Sequence, residues 1–196
     1  QESGLISGDN SQGPMYGHGF ATLFLAEVYG MTGDDRVKEK LQKAVRLIER
    51  TQNNEGGWRY MPVPYDADIS VTITEIMALR AAHDAGIAVD KKVIDKAIAY
   101  VRHCQNPDGG FSYMANMNMG GGGGSAFERS AAGVAALYYA GIFQGNDLRH
   151  GLDYVFQFLP NRGLPANSYA HYYYGEYYAA QAMFLAGGSY WAAWYP

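Results

Sequence analysis

The sequence predicts an all-α protein of about four helical hairpins, forming a single domain over residues 1–196. Two observations carry this prediction. A motif of the form Gln-x-x-x-Gly-Gly-aromatic begins at Gln52 and again at Gln105, 53 residues later. Between and around the two copies, charged amphipathic runs alternate with apolar runs that stop at glycine. A fixed period of this length indicates stacked helical units, and no segment shows the sustained period-2 alternation of a sheet.

The charged runs predict the outer helices of the hairpins. Residues 37–51 precede the first motif and residues 92–104 precede the second. In the first run Leu41, Val45 and Ile48 recur three or four positions apart and so form one apolar stripe. A helix of this kind covers a core with one face and meets water with the other.

The apolar runs predict inner helices, which are poor in charge because they are enclosed on most sides. They cover residues 19–29, 70–85, 130–140 and 172–186. Each run is followed by a glycine suited to the left-handed conformation that ends a helix, namely Gly30, Gly86, Gly141 and Gly187. The outer helices are expected to begin after the capping residues Asp34, Asp90 and Asn146. The glycine run at residues 120–124 predicts a flexible loop.

The composition excludes several kinds of partner. The chain is 48% hydrophobic and 17% charged, with a net charge of −4, so it has no basic stripe for a nucleic-acid backbone. No apolar run approaches the roughly 20 residues that a membrane span needs. Cys104 is the only cysteine, which excludes an intramolecular disulfide. The 17 tyrosines suit the walls of a pocket.

The repeated motif, its place at the end of an outer helix and its period resemble the QW-type repeat of the α/α-toroid family, which includes squalene-hopene cyclases, other terpenoid cyclases and protein prenyltransferases. The resemblance covers most of the chain. It implies an α/α barrel whose inner helices ring a cavity, with glutamine and aromatic tying each outer helix to the next hairpin. Family barrels usually contain more than four hairpins, so a partial ring or part of a longer protein is expected.

The resemblance also implies where ligands bind. The turns of the repeat lead to the starts of the inner helices, so the side chains there are expected to meet at one mouth of the cavity. The candidate ligand-binding residues are Tyr16, His18, Arg59, Tyr60, Glu128, Arg129, His171, Tyr174 and Glu176.

The segment Asp66-Ala67-Asp68-Ile69 resembles the Asp-x-Asp-Asp motif that supplies the proton in class II terpene cyclases. The resemblance implies that Asp68 is a general acid whose proton is retained next to Asp66. Ile69 stands where the motif has its last aspartate. Asp68 also directly precedes an inner helix, and the sequence favours the interpretation that it caps that helix.

Two other chemistries fit parts of the sequence. A zinc site like that of the prenyltransferases needs Asp, Cys and His together, but Cys104 lies in an outer helix, so neither a metal nor another cofactor is expected. Some polysaccharide lyases and hydrolases are helical toroids with aromatic, carboxylate and arginine side chains. Residues 172–178, with Glu176 and Arg129, fit such a sugar platform, although the same tyrosines also fit inner-helix packing.

The sequence therefore supports three hypotheses about function. A binding or scaffolding toroid with a polar and aromatic pocket at the mouth is favoured, because the catalytic signatures of both enzyme classes are incomplete. The alternatives are a terpenoid cyclase or prenyltransferase-like enzyme, and a polysaccharide-processing enzyme. The expected partner is accordingly an apolar isoprenoid, a carbohydrate or a protein.

Overall fold

A computed structural model describes residues 2–8, 13–115, 123–159 and 171–195, so most of the glycine run at 120–124 lies outside the described residues. The described part is all-helical, which confirms the predicted fold class. Its helices are α1 (Pro14–Thr32), α2 (Asp35–Thr51), α3 (Ile69–Asp84), α4 (Lys91–His103), α5 (Phe127–Tyr139), α6 (Asn146–Phe156), α7 (Tyr172–Ala186) and α8 (Gly188–Trp194). None of these helices is long and apolar enough to cross a membrane.

The helices divide into two compact units, Gln1–Tyr100 and Val101–Pro196. In the first unit α1 packs mainly against α3 and also against α2. In the second unit α5 packs mainly against α7 and also against α6. In each unit the two apolar helices thus pack mainly on one another, and a charged helix packs beside them.

Burial within the first unit separates the two kinds of helix. Every residue of α3 from 71 to 79 is buried, as expected for an inner helix. In α2, by contrast, Leu41, Val45 and Ile48 are buried while the charged side chains between them remain largely exposed. The core of this unit therefore lies between the enclosed helix α3, the helix α1 that packs mainly against it, and one apolar face of α2.

The helix ends confirm some predicted boundaries and correct others. Helices α1 and α5 begin at Pro14 and Phe127, earlier than the apolar runs that start at positions 19 and 130. Asp34 caps α2 by accepting from the backbone N–H of Arg36. Gly30 does not end α1, because the helix runs on to Thr32 and Gly33 takes the left-handed conformation with φ 64°. Asn146 is not a cap but the first residue of α6, preceded by Gly145 with φ 137°. Such a φ favours glycine, and with Gly145 as the N-cap the helix starts one residue earlier than the polar pattern suggests.

The two copies of the repeated motif form the same tie between outer helices. In the first copy the Gln52 amide donates to the backbone carbonyl of Val93, in the first turn of α4, at 2.8 Å. In the second copy Gln105 donates to the carbonyl of Asp147, in the first turn of α6, at 2.8 Å. The Trp58 indole N–H donates to the carbonyl of Ile48 at 2.8 Å, which fixes the aromatic of the first motif against α2. The tie that the family resemblance implies is therefore present.

Candidate functional site

Asp68 is the N-cap of the inner helix α3 and is completely buried. Its Oδ1 accepts from the backbone N–H of Ser70 at 2.9 Å, from the N–H of Val71 at 3.0 Å and from the Ser70 hydroxyl at 2.6 Å. Its own N–H donates to the carbonyl of Trp58 at 3.0 Å, which anchors the cap to the first Gln-x-x-x-Gly-Gly-aromatic turn. Asp68 thus makes the helix cap that the sequence favours.

Arg59 joins the two aspartates of the Asp-x-Asp segment. Its Nη1 lies 2.5 Å from Oδ2 of Asp66, and its Nε lies 3.5 Å from Oδ2 of Asp68. The second oxygen of Asp68 therefore faces a cation while the first serves the cap. The Asp66 side chain is about one-third exposed, whereas the Asp68 side chain is fully buried. Solvent therefore reaches the carboxylate that pairs with Arg59 at Asp66 but not the one at Asp68.

Two tyrosines lie beside these charges. The Tyr16 and Tyr60 rings stack with centroids 6.0 Å apart, and the Arg59 guanidinium lies 5.4 Å from the centroid of the Tyr60 ring. Burial raises the pKa of Tyr16 to about 12, with smaller contributions from Asp68 and Tyr60 and an opposing hydrogen bond to Ser70. At neutral pH the Tyr16 hydroxyl is therefore a neutral donor beside a carboxylate.

These five residues, Tyr16, Arg59, Tyr60, Asp66 and Asp68, form what we call the ionic cluster. The predicted site residues of the first unit are thus brought together, with His18 as the exception. His18 is buried; its Nδ1 accepts from the N–H of Ile6 at 3.1 Å and its Nε2 lies 3.2 Å from the carbonyl of Ala44. Both ring nitrogens are occupied by the backbone, and burial lowers the pKa of the imidazole, so it stays neutral.

In the second unit the first turn of α5 carries Glu128 and Arg129. Both lie close to Tyr154 of α6, together with Asp108 and Ser125. Burial raises the pKa of Tyr154, the Asp108 and Glu128 charges raise it further, and Arg129 lowers it. The Arg129 Nε is buried and has no hydrogen-bond partner among the described residues.

The start of α7 lies against the start of α5. A Cβ added to Gly175 would lie 2.6 Å from Cε1 of Phe127 and 3.1 Å from the Cα of Glu128, so only glycine permits this approach. Glu176 is the next residue, and burial raises the pKa of its carboxyl against an opposing hydrogen bond from Tyr172. His171, the N-cap of α7, is exposed and adopts a left-handed φ of 59°.

Tyr174 and Tyr178 support the packing interpretation of the tyrosine-rich run. Their rings meet edge to face with centroids 4.8 Å apart, and Tyr178 is fully buried. The second unit therefore gathers Glu128, Arg129, Tyr174 and Glu176 near the starts of α5 and α7. The common mouth expected for all the hairpins remains a prediction, as do the catalytic and ligand-binding roles of these residues.

Glu75, in the middle of α3, is not among the residues predicted from the sequence. Its side chain is fully buried, and neither carboxylate oxygen has a hydrogen-bond partner among the described residues. Burial raises its pKa well above the ordinary value, which favours the protonated carboxyl. An available signal was its position, because Glu75 is the only acidic residue between Ser70 and His83, in a run whose one other charged residue is Arg80.

Acidic, histidine and cysteine side chains of the described residues form no group of three or more able to hold a metal ion. The Asp66 and Asp68 carboxylates instead share the Arg59 guanidinium. The ionic cluster can therefore pair with polar groups through Arg59 and stack its tyrosine rings against an apolar or aromatic surface. Proton transfer from Asp68 would first require its contacts with Ser70, Val71 and Arg59 to break.

Comparison with known proteins identifies the family. The model of the squalene-hopene cyclase C-terminal domain matches residues 21–178, which include every predicted site residue except Tyr16 and His18. No curated protein matches the chain. Because the family model spans well over half of the sequence and agrees with the all-helical fold, the chain belongs to the squalene-hopene cyclase C-terminal domain family and is a terpenoid cyclase-like repeat domain.

Proposed function

We propose that this domain binds an apolar isoprenoid along α1, with the polar end of the ligand at the ionic cluster. The observation that carries the proposal is the position of Tyr16, which belongs to the ionic cluster and also begins an exposed apolar stripe. Phe20, Phe24 and Met31 continue the stripe and are 40%, 66% and 80% exposed. Positions 16, 20, 24 and 31 share one face of the helix, over a length of about 22 Å.

The chemistry of the two ends supports this assignment. Large apolar side chains gathered on one exposed helix face are typical of a binding surface. At the other end, the Arg59 guanidinium and the neutral Tyr16 hydroxyl are donors suited to a hydroxyl or ether oxygen. Membership of a terpenoid cyclase-like family agrees with a ligand of this shape.

Equilibrium binding of radiolabelled farnesol to the full chain tests the proposal. Phe24→Ala is expected to raise the Kd about tenfold, because burial of a phenylalanine ring contributes about 1.5–3 kcal/mol. The matched control is Phe143→Ala, which removes another exposed phenylalanine, in the second unit. No saturable binding by the wild type, or equal weakening by both variants, would overturn the proposal.

A second candidate function is cyclization with Asp68 as the proton donor. Family membership and the position of the Asp-x-Asp segment at the start of α3 favour it. In such a reaction a protonated Asp68 carboxyl would transfer its proton to one carbon of the terminal alkene, leaving a carboxylate beside Arg59 and a carbocation on the substrate. Attack by the next alkene would close a ring, and final loss of a proton would discharge the cation. Gas chromatography of the products from squalene decides this candidate: a cyclic product from the wild type that is lost in Asp68→Asn supports it, and the absence of turnover by the wild type removes it.

A further inference from the structure

The second unit contains a cavity at the ends of the inner helices that are opposite to the candidate site residues. The cavity has a volume of about 400 Å³ and is lined by Tyr138 at the end of α5 and by Ala186 at the end of α7. Tyr138 is ten residues from Glu128, so the cavity lies about 15 Å along α5 from that first turn. This volume is within the range of small-molecule sites in proteins.

Aromatic side chains form the walls of the cavity. The rings of Tyr138 and Phe143 lie 5.8 Å apart at 58°. Tyr190 contributes a third ring, held by a 2.5 Å hydrogen bond from its hydroxyl to Asp153 and by an edge-to-face contact with Phe156. These contacts keep the Tyr190 ring in position before any ligand arrives, so little conformational freedom is lost on binding.

The floor and the rim differ in polarity. Leu148 lines the floor and is buried, whereas the exposed Gln144, Asn146 and Arg149 stand at the rim. The Arg149 Nη2 donates to the Asn146 side-chain oxygen at 2.9 Å, which orients that amide with its NH₂ group free to turn to a ligand. The rim therefore offers several donors and acceptors around an apolar base.

Arg149 is the one charged side chain among the described residues that line the cavity, and an acidic side chain lies nearby to balance it. Arg149 supplies one positive charge, and the Asp153 carboxylate that accepts from Tyr190 supplies one negative charge nearby. The two influence the Tyr190 hydroxyl in opposite directions: Asp153 raises its pKa and Arg149 lowers it, while burial is the largest cause of the rise to about 12. A neutral ligand fits this balance better than an anion does.

We propose that this cavity binds a neutral hexopyranose residue of a glycan. A sugar ring presents apolar C–H faces, which pack against aromatic rings, and hydroxyls at its edge, which pair with amides and guanidinium groups. The rings of Tyr138, Phe143 and Tyr190 provide the apolar contacts, and the polar side chains at the rim provide the hydrogen bonds. The site is separate from the tyrosine run at residues 172–178, and it does not depend on isoprenoid binding by the first unit.

A glycan array probed with the full chain tests the proposal, followed by calorimetric titration with the methyl glycoside of the best neutral hexose. Binding to a neutral hexose is expected, with glucuronate and adenosine binding more weakly. Phe143→Ala should raise the Kd about tenfold through loss of one aromatic wall. The matched control Phe24→Ala changes an exposed phenylalanine of α1 and should leave the Kd unchanged.

Arg149→Gln is the second variant, because it removes the rim charge from an exposed position and leaves the fold intact. It should weaken binding of the neutral glycoside by a smaller factor than Phe143→Ala does. The proposal fails if no neutral hexose binds, if glucuronate or adenosine binds more tightly than the glycoside, or if Phe143→Ala has no more effect than Phe24→Ala. Circular dichroism of each variant checks that the helices are retained.

Discussion

The side-chain amide of Gln52 donates to the backbone carbonyl of Val93 at 2.8 Å and uses its other hydrogen on the carbonyl of Gly56 at 2.9 Å. One side chain thus closes its own turn and ties it to α4, 41 residues further along the chain. We predict that Gln52→Ala lowers the free energy of unfolding by about 1–3 kcal/mol, because two carbonyls lose their donor. Urea unfolding followed by circular dichroism measures the change.

The control for this prediction is Gln157→Ala. Gln157 is an exposed glutamine at the end of α6, and its amide makes only a 3.4 Å contact with the carbonyl of Asp153. Its loss should change the free energy of unfolding by no more than about 0.5 kcal/mol. Equal losses in the two variants would contradict a tie through Gln52.

Gly56 and Gly86 provide a matched test of backbone contact in the turns. Both have positive φ, 103° and 85°, but a Cβ on Gly56 would lie 2.2 Å from the carbonyl oxygen of Lys96, whereas a Cβ on Gly86 meets nothing within 4 Å. We expect Gly86→Ala to cost about 1–2 kcal/mol for the left-handed backbone alone. Gly56→Ala should cost about 1–3 kcal/mol more, because α4 must move away. Thermal and urea unfolding compare them, and equal costs would exclude the contact as the cause.

The helices and most of their ends could be predicted from sequence because local features set them, whereas the ties between outer helices were implied by the resemblance of the repeat to the α/α-toroid family. Asp34 caps the helix that follows it, and Gly187 ends α7, as the short-range pattern indicates. Gly30 misled the prediction, because a single glycine does not end a helix when Gly33 and Asp34 supply a complete stop and start just beyond it. Of the two nearby glycines, the one that ends α1 is Gly33, which directly precedes Asp34, the N-cap of α2.

The site was predictable only in part, because its contacts are non-local. The sequence indicates that Asp66 and Asp68 lie near an inner-helix start, but not that Arg59 joins them. His18 was expected at the same site, but its ring lies against the backbone carbonyl of Ala44 in α2. The pairing of side chains across helices depends on helix rotation and on the path of the loops, neither of which a spacing pattern specifies.

Substitutions of Asp68 separate its structural role from a chemical one. Asp68→Ala removes the cap and the partner of Arg59, and we predict a loss of about 1–2 kcal/mol or more in the free energy of unfolding. Asp68→Asn keeps an oxygen for the Ser70 and Val71 N–H groups, so it should lose less than the alanine variant does. Urea unfolding of the two variants measures the difference. An asparagine variant as unstable as the alanine variant would show that the charge beside Arg59 matters more than the cap.

Glu75 makes the stability of the first unit depend on pH. Burial raises its folded-state pKa well above the ordinary value of 4.5, whereas an unfolded Glu75 loses its proton near that value. Its carboxyl therefore imposes no ionisation penalty on folding below about pH 4.5. As the pH rises towards the folded pKa, the unfolded state is increasingly favoured, by up to about 1.4 kcal/mol for each pH unit.

Replacement of Glu75 by methionine should remove this dependence, because the side chain keeps a similar length and has no proton to lose. The free energy of unfolding of Glu75→Met, relative to the wild type, is expected to rise as the pH increases from about 4.5 towards the folded-state pKa of Glu75. Urea unfolding at a series of pH values measures it. Glu39→Met is the control of opposite sign: the hydrogen bond from Lys43 lowers the pKa of Glu39, so its contribution is present above pH 4.5 and is lost as the pH falls. A Glu75→Met variant whose stability relative to the wild type stays constant over this range would mean that Glu75 ionises in the folded protein as it does in the unfolded chain.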